Sequence, residues 1–352
     1  MGIGDQWSLR LTSLYSSLAK NSQIIGKPFS FPWDILSARL AAKKVKDVNM
    51  IRKVLKWIGI VLGSLFGLLV LAFVVLFIIG SVQWNRLHGQ YDVPVEMIAI
   101  PTDSASITRG EHIATIRMCR QCHLDNLGGQ TAGAPLLITL SVPNLTPGIG
   151  GIGATNTDED WVRAIRHGVG HDGRGLVVMP SSIWYQLSDE DLGALIAYLK
   201  SLPPVNNELP PTDLGPLGRV MLTLGQLPPE IEPSVLVIDH DGPRPVSPQP
   251  GVTVEYGKYL ATTCTLCHGE NLNGQTVREG PNVYVALNLT RGGEMKGWSE
   301  EQFIATMRSG VTPGGHKLID FMPWKYFGQM TDDELKAVWI YLQSLPALEQ
   351  GK

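Results

Sequence analysis

At 352 residues, with 44% hydrophobic and 17% charged side chains, the chain is long for one compact unit and points to about two domains. A formal net charge of −3 leaves no basic surplus of the kind that grips a phosphate backbone, so no nucleic-acid partner is expected. That near-neutral total hides a steep asymmetry along the sequence.

Residues 1–56 hold ten Lys or Arg against three Asp, with Lys43, Lys44, Lys46, Arg52, Lys53 and Lys56 crowded toward their end. From Trp57 to Gln83 no ionisable side chain occurs. As a helix this run would rise about 40 Å, enough to cross a hydrocarbon core of about 30 Å with some tilt. Trp57 and Trp84 stand where interfacial aromatics belong. The run is too long for a cleaved signal peptide, begins after more than fifty residues, and ends without a small-residue cleavage pattern.

Basic residues collect on the cytoplasmic side of a span, so residues 1–56 are expected as a cytoplasmic arm and 57–84 as a single transmembrane helix. The remainder, with 19 of the 29 basic and 29 of the 32 acidic residues, then lies outside a bacterial cytoplasmic membrane, in the periplasm. Trp7, Leu14, Phe29 and Trp33 make the arm apolar enough to pack on a partner or on the bilayer, while a loosely held terminus fits equally well.

Beyond the span the chain repeats itself. Cys119-Arg-Gln-Cys122-His123 is matched 145 residues later by Cys264-Thr-Leu-Cys267-His268. Gly-Gln-Thr follows each motif (129–131 and 274–276), then Asn-Leu-Thr (144–146 and 288–290), then the pairs Met179-Pro180 and Met322-Pro323. Near-constant displacement over whole modules is the signature of a duplicated fold. The predicted domains are 90–203 and 251–352.

Helix signals recur in step. Thr157, Ser188, Ser299 and Thr331 each read as an N-cap with an acidic or amide residue three positions on. Apolar faces at helical spacing follow: Trp161, Ala164 and Ile165; Leu192, Leu195, Ile196 and Leu199; Phe303 and Met307; Leu335, Val338, Trp339 and Leu342. A further helix should lead into each cysteine motif, from about Ser106 to Met118 and from about Val254 to Thr263. The fold class is therefore mainly α. Gly- and Pro-rich stretches at 147–153 and 313–315 read as loops wrapped around something the polypeptide does not supply. Residues 204–250, rich in proline, read as a stiff linker whose centre, Val220 to Leu227, is apolar enough to pack on a module.

All four cysteines lie in the two Cys-x-x-Cys-His motifs, leaving none for a structural disulfide. In haem c two thiols so spaced add to the porphyrin vinyl groups and the adjacent His lies beneath the iron. Two covalent haems c are expected, on Cys119 and Cys122 and on Cys264 and Cys267, with His123 and His268 as proximal ligands. A thioredoxin-like pair or half a zinc site is the blander reading. Here each pair is followed by His and no neighbouring Cys or His completes a zinc tetrahedron.

Met179 and Met322, at equivalent places in the repeat, are the predicted distal ligands, since a thioether opposite His raises the potential and closes the sixth position. His167 and His171 are rivals at the first iron, although Ser309 replaces His167 in the second copy.

Taken together, Cys-x-x-Cys-His, Asn-Leu-Thr, Met-Pro and the closing helix over residues 100–346 resemble tandem class I cytochrome c domains, as in cytochrome subunits of periplasmic membrane-bound dehydrogenases. That resemblance implies the same attachment and ligand residues. It further implies that Pro135 and Pro281 are the loop prolines whose carbonyls accept the proximal His N–H. It also implies an electron carrier rather than an enzyme, with redox proteins of a membrane electron-transport complex as partners. A dihaem peroxidase, which needs one open iron, and the electron-accepting subunit of a dehydrogenase are the alternatives. This chain departs from the resembled subunits in having two haem motifs rather than three and an N-terminal rather than C-terminal apolar span.

Overall fold

A computed structural model describes residues 32–227, 231–279 and 282–351. The chain divides into two units, residues 1–71 and 72–352. In the first, the described residues belong to helix α1 (Pro32–Leu87), so the basic segment 43–56 is helical and continuous with the apolar run. Its large apolar side chains face outward: Trp57 is 66% and Phe66 70% exposed. That excludes a buried core helix, and α1 is long and apolar enough to cross a membrane, with a mean hydropathy of 3.0 over its most apolar stretch. The Trp7 to Phe29 portion of the arm lies outside the described residues.

The second unit holds both repeats. The first comprises α2 (Ser104–Ile116), the short α3 (Cys119–His123), the hairpin β1 (Gln130–Ala134) and β2 (Ile138–Val142), α4 (Asp158–His167), α5 (Ser181–Trp184) and α6 (Asp189–Lys200). After it come β3 (Asp213–Leu214) and α7 (Pro216–Thr223). The second repeat comprises α8 (Val254–Ala261), a 3₁₀ turn Thr262–Cys264 with α9 (Thr265–His268), the hairpin β4 (Gln275–Glu279) and β5 (Asn282–Ala286), α10 (Glu300–Ser309), α11 (Trp324–Phe327) and α12 (Asp332–Ser344).

All four expected N-caps are formed: the side chains of Thr157, Ser188, Ser299 and Thr331 accept from the backbone N–H three residues on, three of them as full capping boxes. In each repeat the entry helix crosses the closing helix at a glycine. A Cβ on Gly110 would overlap the carbonyl oxygen of Ala194 in α6, and one on Gly257 that of Ala337 in α12. Backbone cannot step aside as a side chain can, so Gly257→Ala should cost the second repeat about 3 kcal/mol. A melting midpoint unchanged from wild type would refute that crossing.

Two features differ from the sequence reading. Both hairpins went unpredicted because their strands are only five residues long and only Ile138–Val142 alternates in polarity. The proline-rich segment packs on the first repeat not only around its apolar centre, as expected, where α7 lies, but also ahead of it, where β3 pairs with β2 through Ile138 and Leu214. Its first residues complete the module, since Asn144 Nδ2 donates to Val205 O at 2.7 Å as Asn288 Nδ2 does to Leu348 O at 2.7 Å.

One apolar core runs through both repeats. Across the boundary, Tyr259 Oη donates to Asp191 Oδ2 at 2.6 Å, and His112 Nε2 meets Glu334 Oε2 at 2.8 Å. Each carboxylate also has a contact in its own module, Arg109 on Asp191 and Tyr256 on Glu334. Arg117, only 4% exposed, donates to Tyr259 O (3.0 Å), Leu260 O (3.1 Å) and Thr263 Oγ1 (2.9 Å), with its guanidinium 4.8 Å over the Tyr259 ring.

Candidate functional site

The two cysteine motifs are short helical turns ended by a residue at positive φ, Leu124 (67°) in the first and Gly269 (77°) in the second. Glycine takes that conformation freely, whereas the leucine is strained and must be held by its surroundings. Holding is supplied by Gly129 N–H on His123 O at 3.0 Å and Gln130 Nε2 on Cys122 O at 2.9 Å. In the second copy Gly274 N–H is on His268 O at 2.8 Å, and Gln275 Nε2 reaches one residue further back in the turn, to Leu266 O at 3.0 Å. The recurring Gly-Gln-Thr thus pins the turn that presents the thiols.

All four cysteines are unpaired. Burial pushes the Cys119 thiol up to about 12 and that of Cys264 up to about 11, so neither is a thiolate poised for metal binding or redox exchange at neutral pH. Among the described residues no group of three or more His, Cys, Asp or Glu converges on one point, which leaves a tetrahedral zinc without a ligand set.

His123 and His268 are both buried, 8% exposed. His123 Nδ1 lies 2.8 Å from Pro143 O and His268 Nδ1 2.7 Å from Leu287 O. A carbonyl only accepts, so Nδ1 carries the proton and Nε2 keeps a free lone pair. Burial holds His123 down near 4 and lowers His268 as well, keeping both rings neutral, the form that ligates iron.

The acceptors correct the sequence reading. Pro135 sits in the turn between β1 and β2, where Leu137 N–H closes on Ala134 O, and its carbonyl does not receive the His123 N–H. Pro281 lies outside the described residues, and the N–H of His268 goes to Leu287. In each copy the true acceptor is the residue just before Asn-Leu-Thr. There the Asn side chain accepts from the Thr backbone and hydroxyl, at 3.0 and 2.8 Å in the first copy and 2.8 and 2.7 Å in the second. The motif was visible in the sequence, and its job is to fix the carbonyl beside it.

Met179 and Met322 are half-buried against the shared core, as are Cys119 and Cys264. Each lies just before the Pro that starts a one-turn helix, α5 or α11. Met179 O accepts from Ser181 N at 2.9 Å and from Ser234 Oγ at 2.8 Å, so the supposed linker reaches back to hold this segment. The preceding Val178 is at φ 65°, a strained place for a β-branched residue.

His167 is occupied elsewhere. Its Nε2 is 2.9 Å from Glu96 and its Nδ1 2.8 Å from His240 Nδ1. Burial opposes ionisation of Glu96, but hydrogen bonds from His167 and Arg166 outweigh it and hold the carboxyl near 2. His171 is exposed, and neither histidine offers a free, buried ring nitrogen as His123 does.

The comparisons with known proteins bear on the same two modules. Residues 105–199 match the family described as cytochrome c oxidase, cbb3-type, subunit III, and residues 254–346 match cytochrome c. The chain therefore carries two cytochrome c domains in tandem. It is similar to an alcohol dehydrogenase (quinone) cytochrome c subunit of Gluconobacter oxydans, with 28% identity over 71% of this chain and 57% of the relative. The corresponding subunit of Komagataeibacter europaeus is 30% identical over 69% and 57%. A diheme cytochrome c-type protein of Cereibacter sphaeroides is 27% identical over 72% of this chain and 90% of its own length. The chain spans a little over half the length of the alcohol dehydrogenase subunits it matches.

Proposed function

We propose that the protein is a membrane-tethered electron carrier with two haems c, relaying single electrons on the periplasmic side of a bacterial membrane without substrate chemistry of its own. The observation that carries this reading is the pair of buried histidines, each with Nδ1–H on a loop carbonyl and Nε2 free, set directly after two unpaired thiols. The residues fit haem in a further respect. Trp161 and Trp184 have buried indole N–H groups without a protein partner, in the core against which Met179 and Cys119 pack, and porphyrin carboxylates are suitable acceptors.

In this reading Cys119, Cys122, Cys264 and Cys267 hold the porphyrins, His123 and His268 are the proximal ligands, and Met179 and Met322 the distal ones. Bound haem supplies a one-electron couple; the protein fixes its ligands, neutralises competing protonation and excludes water. A Met in each copy favours a relay over a peroxidase, which needs a free coordination position. The basic stretch 43–56 supports a cytoplasmic N-terminus. Similarity to dehydrogenase cytochrome subunits makes a membrane-bound dehydrogenase the favoured donor, with the tether raising the local concentration of each for the other.

The full chain, purified in mild detergent, should carry two haems per polypeptide by pyridine haemochrome assay, and the Cys264→Ser, Cys267→Ser variant one. A wild-type ratio of one sinks the dihaem reading.

A further inference from the structure

Helix α7 packs against the outer end of α1. Thr223 Oγ1 donates to Leu76 O at 2.9 Å, a Cβ on Gly80 would overlap the Arg219 carbonyl oxygen, and the Arg219 guanidinium lies 5.7 Å over the Phe77 ring. Those three α1 residues belong to the apolar run that ends at Gln83. Leu76 is about 10 Å along the helix axis from that end.

If α1 spans the bilayer, α7 therefore cannot stand in bulk water; it lies at the depth where surface-bound amphipathic helices bury their apolar faces, about 5–10 Å into the headgroup and acyl boundary. Its side chains match that position. Leu222 turns inward to the cluster of Trp84, Leu214 and Ile231, whereas Leu217, Met221 and Leu224, at helical spacing, form another face, with Leu217 43% and Leu224 54% exposed. Arg219 turns its guanidinium to Asp213 at 2.8 Å and over the Phe77 ring, so its charge is paired rather than left bare at a lipid boundary.

A second apolar element adjoins it. The β1–β2 turn is bound to the start of α7, with Leu217 N–H on Leu136 O at 3.0 Å and Gly215 N–H on Leu137 O at 2.9 Å. Leu136 is 62% and Leu137 38% exposed. In the second hairpin β4 ends on Arg278 and Glu279, and the sequence up to β5 holds no leucine pair.

We propose that Leu136, Leu137, Leu217, Met221 and Leu224 form a lipid-docking surface that seats the first cytochrome module in the outer leaflet beside α1. The second module lacks the leucine pair, its exposed Val283 and Val285 standing on β5 instead, and is left free to meet a soluble redox partner. This proposal rests on the reading of α1 as a membrane span, and its test separates the two.

The haem-loaded full chain is reconstituted in vesicles of phosphatidylcholine and phosphatidylglycerol as three variants, Leu224→Cys, Leu136→Cys and, as a control, the 85% exposed Val246→Cys, each spin-labelled. At Leu224→Cys and Leu136→Cys the label should collide several-fold more with dissolved oxygen, relative to a water-soluble nickel chelate, than at Val246→Cys. Equal, water-like ratios at all three sites in a chain that resists an alkaline carbonate wash overturn the docking surface and leave the span intact. Release of the chain by the wash overturns the span itself.

Discussion

Replacing Arg117 by Met should lower both reduction potentials of the protein together. Arg117 is buried, and its hydrogen bonds go to two carbonyls and a hydroxyl of the other module, with no carboxylate in contact among the described residues. Its charge reaches both attachment segments, opposing the rise that burial imposes on the thiols of Cys119 and Cys264. With a haem in each module, as proposed, a cation fixed at the boundary between them would favour the extra electron on each. For a charge about 10 Å away at an effective dielectric of about 20, the effect is roughly 1.7 kcal/mol, or about 70 mV for a one-electron couple.

Arg117→Lys should keep most of the potential while losing the forked hydrogen bonds, because charge survives and geometry does not. Potentiometric titration of the full chain separates the cases: two falling potentials support electrostatic tuning, and unchanged potentials in Arg117→Met refute it. The same substitution leaves Tyr259 O and Leu260 O without this donor, so the two modules should also come apart more readily, by about 1–3 kcal/mol.

Methionine replacement should give the opposite pattern, one potential at a time. Met322→Ala should lower only the second module's potential and Met179→Ala only the first, each by on the order of 0.1 V, a fraction of the roughly 0.8 V range that axial ligands span. In the proposed ligand set, loss of the thioether would remove the electron-withdrawing partner that stabilises the reduced state. Unchanged spectra and potentials in Met322→Ala would remove it from the ligand set. Met179 sits behind the strained Val178 and is held by Ser234, so its segment should relax further on truncation, and the first module should become the more reactive of the two toward small exogenous ligands.

Much of this architecture was legible because the chemistry is local. A capped helix needs a hydroxyl and an acidic or amide partner three residues on, and Thr157, Ser299 and Thr331 carried that signal intact into the folded chain. The cysteine motifs, with all their determinants inside five residues, were equally plain. The carbonyl that holds each histidine was not, because any residue has a carbonyl and only the fold selects Pro143 and Leu287. Pro135 was chosen for its type when position alone decided. Arg117 escaped for a related reason: it has no partner in the repeat, Thr262 standing at the matching distance before Cys264, and its contacts lie more than 140 residues away. The linker misled through composition, since proline forbids neither the short β3 nor the first turn of α7.

The contacts at the module boundary have a symmetry. His112 and Tyr259 occupy matching places 147 residues apart, as do Arg109 and Tyr256, and Asp191 matches Glu334. Each module's entry helix reaches the carboxylate that opens its neighbour's closing helix, as His112 does to Glu334 and Tyr259 to Asp191. One surface meeting a copy of itself in this reciprocal way is how a two-fold dimer associates. The tandem is thus built like a homodimer whose subunits have been joined in one chain, and the joining has released the halves from being identical. Arg117 on one side of the boundary, and the leucine-tipped hairpin on one module alone, are differences that a true dimer would have to carry twice.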